Sequence, residues 1–121
     1  MILVDTSIWV DHLRKSDAAL SGLLHQNQVL THPFVIGELA LGNLQQRQVV
    51  IGALRNLPSS TVAADDEVLQ FIEAHALAGL GIGYIDAHLL AAARLTPGAS
   101  FWTRDRRLAG VAEKLSLAGP I

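Results

Sequence analysis

Three features of the sequence predict an α/β fold: a three-layer α/β/α sandwich around a short, mostly parallel sheet. Brief apolar runs at 1–4, 28–31 and 100–103 alternate with longer segments of helical character. The first and third runs lead into an aspartate, Asp5 and Asp105, as strands do when they feed a helix N-terminus. Tyr84 to Leu95 is helical in pattern and almost wholly apolar, so it belongs between layers rather than on a surface.

The elements follow in order. Met1-Ile2-Leu3-Val4 reads as a buried strand ending at Asp5-Thr6-Ser7. A helix runs through Ile8-Trp9-Val10 to Leu13, and a second spans Ala18 to His25. Gln28 to Thr31 is the next short strand. Pro33 suits the first turn of a helix, where its missing N–H is not needed; that helix carries Phe34, Val35, Glu38, Leu39 and Leu41. Gln45 to Leu57 is a further helix, stopped before Pro58, and Ser60 to Ala63 is a weak strand. Asp65-Asp66-Glu67 set three acids at the positive end of a helix whose buried stripe is Val68, Leu69, Ile72, Ala76 and Leu80. Gly79, Gly81 and Gly83 then form a turn. Tyr84 to Leu95 runs until Thr96-Pro97-Gly98 breaks it. Ser100 to Thr103 is a strand, Asp105 to Glu113 the final helix, and Leu115 to Ala118 a last strand. No repeat, low-complexity tract or linker divides residues 1–121, which read as one domain.

Composition narrows the function. The 121 residues suffice for one sizeable core. The absence of cysteine excludes a disulfide framework, a zinc finger and a thiol nucleophile, and fits a reducing cytoplasm. Asp5 interrupts the opening apolar run before an export signal could develop. The longest charge-free stretch, Ala18 to Gly37, contains His25, Gln26, Asn27, Gln28, His32 and Pro33, which are costly in lipid. A soluble, cytoplasmic protein without a membrane partner is expected. Charged residues make up 17%, below the roughly 25% of typical domains. That shortfall leaves apolar surface for a partner or a dimer, or else reflects an Ala- and Leu-rich core. The net charge of −2 excludes nucleic-acid binding by bulk electrostatics.

In open parallel sheets, ligands collect at the carboxyl ends of the strands. Asp5 and Asp105 both stand there, and neighbouring strands would bring them together. Either acid alone is explained by helix capping, although Thr6 or Ser7 could cap in place of Asp5. Asp86 is more informative: it is the only charge between Glu73 and Arg94, on a helix faced by Ile85, Ala87, Leu89, Leu90 and Ala91. A carboxylate there needs a partner, a metal, or a wetted place in the first turn. Glu38, near a helix start, is by itself an ordinary surface acid. Together, Asp5, Glu38, Asp86 and Asp105 form a candidate all-oxygen cluster, which persists only if cations neutralise it. Oxygen ligands select Mg²⁺ or Mn²⁺ over zinc. Such ions activate water and hold a phosphodiester for in-line attack.

At these residues the chain resembles the PIN-domain ribonucleases, in particular the small VapC-type toxins of bacterial toxin–antitoxin pairs. The stretches that carry the likeness are Val4-Asp5-Thr6-Ser7-Ile8-Trp9, then Ile36-Gly37-Glu38-Leu39, then Gly83-Tyr84-Ile85-Asp86-Ala87-His88-Leu89, and Phe101 to Leu108 around Asp105. They cover the chain in order. The resemblance implies a PIN-like fold, Mg²⁺- or Mn²⁺-dependent endonucleolytic cleavage of RNA, a cognate VapB-type antitoxin and frequent homodimerisation. It also implies Asp5 and Asp86 as the main metal ligands, with Glu38 and Asp105 completing the acidic pocket. Thr6, Ser7 and Thr103 suit the orientation of carboxylates or water, and helix capping suits them equally. Arg104, Arg106 and Arg107, and separately Arg14 and Lys15, are candidate phosphate contacts or simply solvated faces. His88, two residues past Asp86, points away from it on the helix and reads as structural. His12, His25, His32 and His75 show no readable spacing.

Rival readings fail on named residues. A response-regulator receiver domain needs an acidic pair after the first strand, where Asp5 stands alone, and Lys114 lies in the last helix rather than on a strand. A haloacid-dehalogenase-type phosphatase needs an aspartate where Ser7 stands. A PIN-like RNA-processing nuclease without a toxin role, and a non-cleaving RNA- or partner-binding domain, are the remaining alternatives. The intact four acids weigh against the second. Setting those four aside from the 11 acids leaves 7 against 9 basic residues, so positive character can be local in a formally acidic chain.

Overall fold

In the computed structural model, which describes residues 1–119, β1 (Ile2–Val4) is the middle strand of a three-stranded sheet. It pairs in parallel with β2 (Val29–Leu30) on one side and β3 (Ser100–Trp102) on the other. Successive strand side chains point to opposite faces, yet Ile2, Leu3 and Val4 are all buried, so both faces are covered. The covering helices are α1 (Thr6–Arg14), α2 (Ala18–His25), α3 (Pro33–Ala40), α4 (Arg47–Arg55), α5 (Asp65–Ala74), α6 (Tyr84–Leu95) and α7 (Arg106–Lys114). α3 packs on α1 and α4, while α6 packs on α5 and β3. The expected three-layer α/β fold is the one observed.

α6 lies where its composition placed it. Every residue from Ala87 to Ala93 is buried. Its small alanines let β3 and α5 approach closely, and Leu89 and Leu90 fill the space between them. No helix is long and apolar enough to cross a membrane among the described residues.

Two expected strands shrink to single bridges. Ser59, not Ser60 to Ala63, pairs with Thr31, and Ala118 alone of Leu115 to Ala118 pairs with Phe101. Each still extends the sheet edge through backbone bonds, such as Phe101 N–H to Leu117 C=O at 2.7 Å. α1 begins at Thr6 rather than Ile8, and α4 at Arg47 rather than Gln45.

α5 stops at Ala74, short of the expected Leu80, because Ala76 turns left-handed at φ 52°. The Leu77 N–H then bonds back to Ile72 C=O at 3.0 Å, which satisfies a carbonyl the helix end would otherwise orphan. α2 and α7 close the same way, through Asn27 and Ser116. Within α5, Leu69 is 54% exposed rather than part of the buried stripe, because Val68 and Phe71 carry the buried face and Leu69 lies outside it.

Candidate active site

The sheet register builds the site. Val4 lies opposite Trp102, so the next residues, Asp5 and Thr103, emerge side by side at the carboxyl ends of β1 and β3. The Asp5 N–H donates to Trp102 C=O at 2.9 Å, locking that juxtaposition into the backbone.

Asp5 is 7% exposed, and its side chain makes no cap bond to α1. Instead, Oδ2 accepts the Thr103 hydroxyl at 2.7 Å and the Ser7 hydroxyl at 2.8 Å. Each hydroxyl has one proton, and both are committed to Asp5. Their lone pairs accept backbone N–H groups: Asp105 N–H on Thr103 at 3.1 Å, and Arg104 N–H on Ser7 at 3.1 Å. Helix capping therefore does not explain Ser7 or Thr103. Oδ1 of Asp5 receives no donor among the described residues. Thr6 likewise turns away from capping, donating to Glu38 Oε1 at 2.7 Å.

Asp86 is half-exposed in the first turn of α6, with Oδ2 accepting the Gly83 N–H at 3.0 Å. The wetted first-turn position is thus real, but it is not the whole account. Burial pushes the Asp86 carboxyl above the ordinary carboxylate range against the lowering pull of that N–H, and the charges of Asp5 and Asp105 push it further. Those charges act only at short range through a partly screened medium. The glycine turn therefore brings Asp86 to the same end of the sheet as Asp5. Gly81 makes the turn possible: its φ is +80°, and an added Cβ would meet Arg107 Nη1 at 2.7 Å.

Asp105 caps α7, accepting the Leu108 N–H on Oδ1 at 3.1 Å. Its capping explanation holds, and the acid still faces Asp86 electrostatically. Glu38 is exposed and joins the group through Thr6. Among the described residues, no three His, Asp or Glu side chains converge to enclose one ion. Asp5, Asp86 and Asp105 act on one another through their charges, and Glu38 joins them through the Thr6 hydroxyl at the start of α1.

The basic residues divide. The Arg104 guanidinium pairs with Asp11 at 2.5 Å and with Asp17, so although exposed it clasps α1 to the start of α2 and its charge is already matched by two acids. Nothing in the sequence signals that clasp, because its partners lie 93 and 87 residues away. Arg107 lies along Gly81. Arg106 and Lys15 are exposed and make no ion pair among the described residues. Arg14 borders a groove of 780 Å³ together with Glu38, Val10, Leu13, Asn43 and Val50. His88 is buried, as a structural histidine should be, and so is His32.

Comparison with known proteins identifies the relatives of this chain. Residues 2–114 match the PIN domain family. The chain is 50% identical over 108 residues to Ribonuclease VapC32 of Mycobacterium tuberculosis strain CDC 1551 / Oshkosh, covering 89% of this chain and 87% of that protein. The protein of the same name in strain ATCC 25618 / H37Rv matches to the same extent. With a parallel sheet whose adjacent strands end at paired acids, and with a match across nearly its whole length, the chain belongs to the PIN-domain family, among its VapC-type ribonucleases.

Proposed function

We propose that the protein is a divalent-cation-dependent endoribonuclease and the toxin of a toxin–antitoxin pair. One observation carries most weight: Asp5 is buried at the end of the central strand, with Oδ2 held by two hydroxyls and Oδ1 without a donor among the described residues. A carboxylate so oriented suits an external cation, and the charge of nearby Asp86 gives that cation a reason to bind.

The donor set fits Mg²⁺ or Mn²⁺, being all oxygen. Asp5 and Asp86 would hold the ion, with Glu38 and Asp105 beside them. When bound, the ion would activate water and neutralise charge on the phosphodiester. The chain's own contribution is orientation. Ser7 and Thr103 keep the Asp5 carboxylate in one rotation, Thr6 does so for Glu38, and the Gly83 N–H fixes Asp86. In the reaction, one water adds across a P–O bond, its hydroxyl to phosphorus and its proton to the departing ribose oxygen. Arg106, Arg14 and Lys15, exposed and without an ion pair among the described residues, are proposed to meet flanking phosphates, and Arg107 supports the glycine turn.

Partners follow from the apolar surface. Val10, Leu13, Leu41 and Val49 are exposed, the first two lining the groove beside Arg14 and Glu38. A VapB-type antitoxin is proposed to cover this surface, and a second protomer to make a homodimer. Residues 1–121 act as one domain, a reading supported by a core that runs from Ile2 to Leu117, and work in the cytoplasm where such an antitoxin and RNA would be met.

The test is cleavage of RNA by purified protein with Mg²⁺ or Mn²⁺, together with growth on induced expression. Asp5→Ala and Asp86→Ala should each abolish cleavage and relieve growth arrest. Full activity in either variant removes that residue from the site, and cleavage unaffected by a chelator removes the metal. Cleavage without growth arrest would favour an RNA-processing nuclease over a toxin.

A further inference from the structure

Two histidines outside the proposed chemistry are almost inaccessible, His32 at 0% and His88 at 2% exposure. His32 caps α3, its Nδ1 accepting the Phe34 N–H at 3.0 Å, which leaves its proton on Nε2. That Nε2 and both ring nitrogens of His88 meet no hydrogen-bond partner among the described residues. His88 Nε2 stands 3.4 Å from Asp65 Oδ1 without bonding it. Buried polar atoms in this condition are rare and costly, and each calls for an explanation.

The rings form a continuous stack. Phe34 meets His32 at a centroid distance of 5.1 Å and an angle of 67°, and meets His88 at 4.8 Å and 64°. His88 in turn meets Tyr84 at 4.7 Å and 87°. All three contacts are edge-on, the arrangement aromatic quadrupoles prefer, so orientation is fixed along with separation. The stack crosses from α3 to α6, whose main packing otherwise lies with different neighbours: α1 and α4 for α3, α5 and β3 for α6. These two helices carry Glu38 and Asp86.

We infer that the His32–Phe34–His88 stack is a positioning element that sets the spacing of Glu38 and Asp86 across α3 and α6. This rests on the proposed roles of those two acids. Buried His88 does not share Asp86's access to solvent; it acts through the helix. Misplacing a reacting group by ~1 Å can cost about a hundredfold in rate, so spacing of this kind has a measurable value.

Mn²⁺ binding to the intact protein, followed by the paramagnetic resonance of the free ion, reads the spacing without cleavage. His88→Ala should weaken Mn²⁺ binding about tenfold and lower kcat on RNA by a similar factor, with KM within about twofold. His88→Phe, which keeps a ring edge, should restore both to within about threefold of wild type. A folded His88→Ala protein with wild-type Mn²⁺ affinity and kcat overturns the inference, as does a His88→Phe protein that restores neither. Should His88→Ala fail to fold, Phe34→Leu thins the same contact and carries the same expectations. Asp86→Ala separates the two levels: if it binds Mn²⁺ and cuts RNA like wild type, the site assignment itself falls, and the inference with it.

Discussion

The Thr103 hydroxyl donates to Asp5 Oδ2 at 2.7 Å across 98 residues of chain, and it is the register of β1 against β3 that brings them together. Thr103→Val keeps the shape and removes the donor, along with the acceptor for the Asp105 N–H. Cleavage should fall about 10- to 100-fold, the usual cost of losing a group that orients a metal ligand. Stability should fall by about 1 kcal/mol. Thr103→Ser should recover most of both, as measured by single-turnover cleavage and thermal unfolding.

Asp86 carries its charge at a cost to the fold. Burial, and after it the charges of Asp5 and Asp105, raise its carboxyl above the ordinary range. The native state therefore holds the proton more tightly than the unfolded chain. Stability from this group is lost as pH rises through the raised value, so the metal-free protein bears the cost at neutral pH. Asp86→Asn retains an acceptor for the Gly83 N–H and removes the charge. The variant should unfold at a higher temperature than metal-free wild type while cutting no RNA. Mg²⁺ should raise the wild-type midpoint more than that of the variant.

His32 has the opposite sign of pH dependence. Burial, and then the charge of His88, lowers it from the ordinary 6.5 to about 4. The unfolded state takes up the proton first. Stability is complete above pH 6.5, declines as pH falls, and levels off below about 4 after losing about 3 kcal/mol. His32→Asn preserves a cap acceptor for Phe34 and should flatten this part of the stability–pH curve relative to wild type. Denaturant midpoints measured at several pH values between 4 and 6.5 check it.

The Arg104 clasp bears on RNA binding. Because its guanidinium is engaged by Asp11 and Asp17, Arg104→Ala should leave the salt dependence of RNA affinity unchanged. Arg106→Ala should reduce that slope by about one, as loss of one phosphate contact does. Filter binding across a salt series distinguishes the two.

Ala76 offers a stability gain away from the site. A non-glycine residue held left-handed costs about 1–2 kcal/mol, and at φ 52° Ala76 bears it. Ala76→Gly should stabilise the protein by about 1 kcal/mol in urea unfolding without changing cleavage.

Candidate site acids are legible in the sequence where they end short apolar runs, although a capping aspartate shows the same pattern and Asp105 does cap α7. Asp86 stands out as the lone charge at the head of an apolar helix. The pairing of Arg104 is not legible there, since a charge beside an acid looks free until its long-range partners are known. The end of α5 is not legible either: the stripe through Leu69 to Leu80 has helical spacing, but the backbone bond from Leu77 to Ile72 closes the helix earlier.

The sequence by itself determined the α/β alternation, the burial of α6 and the candidate acids, because these depend on local pattern and on the cost of hiding charge. Only the tertiary structure decided which hydroxyls orient Asp5, that Asp86 shares its neighbourhood, and that two buried histidines join α3 to α6. Those relationships depend on strand register and helix packing between residues distant in the chain, and local pattern carries no record of either.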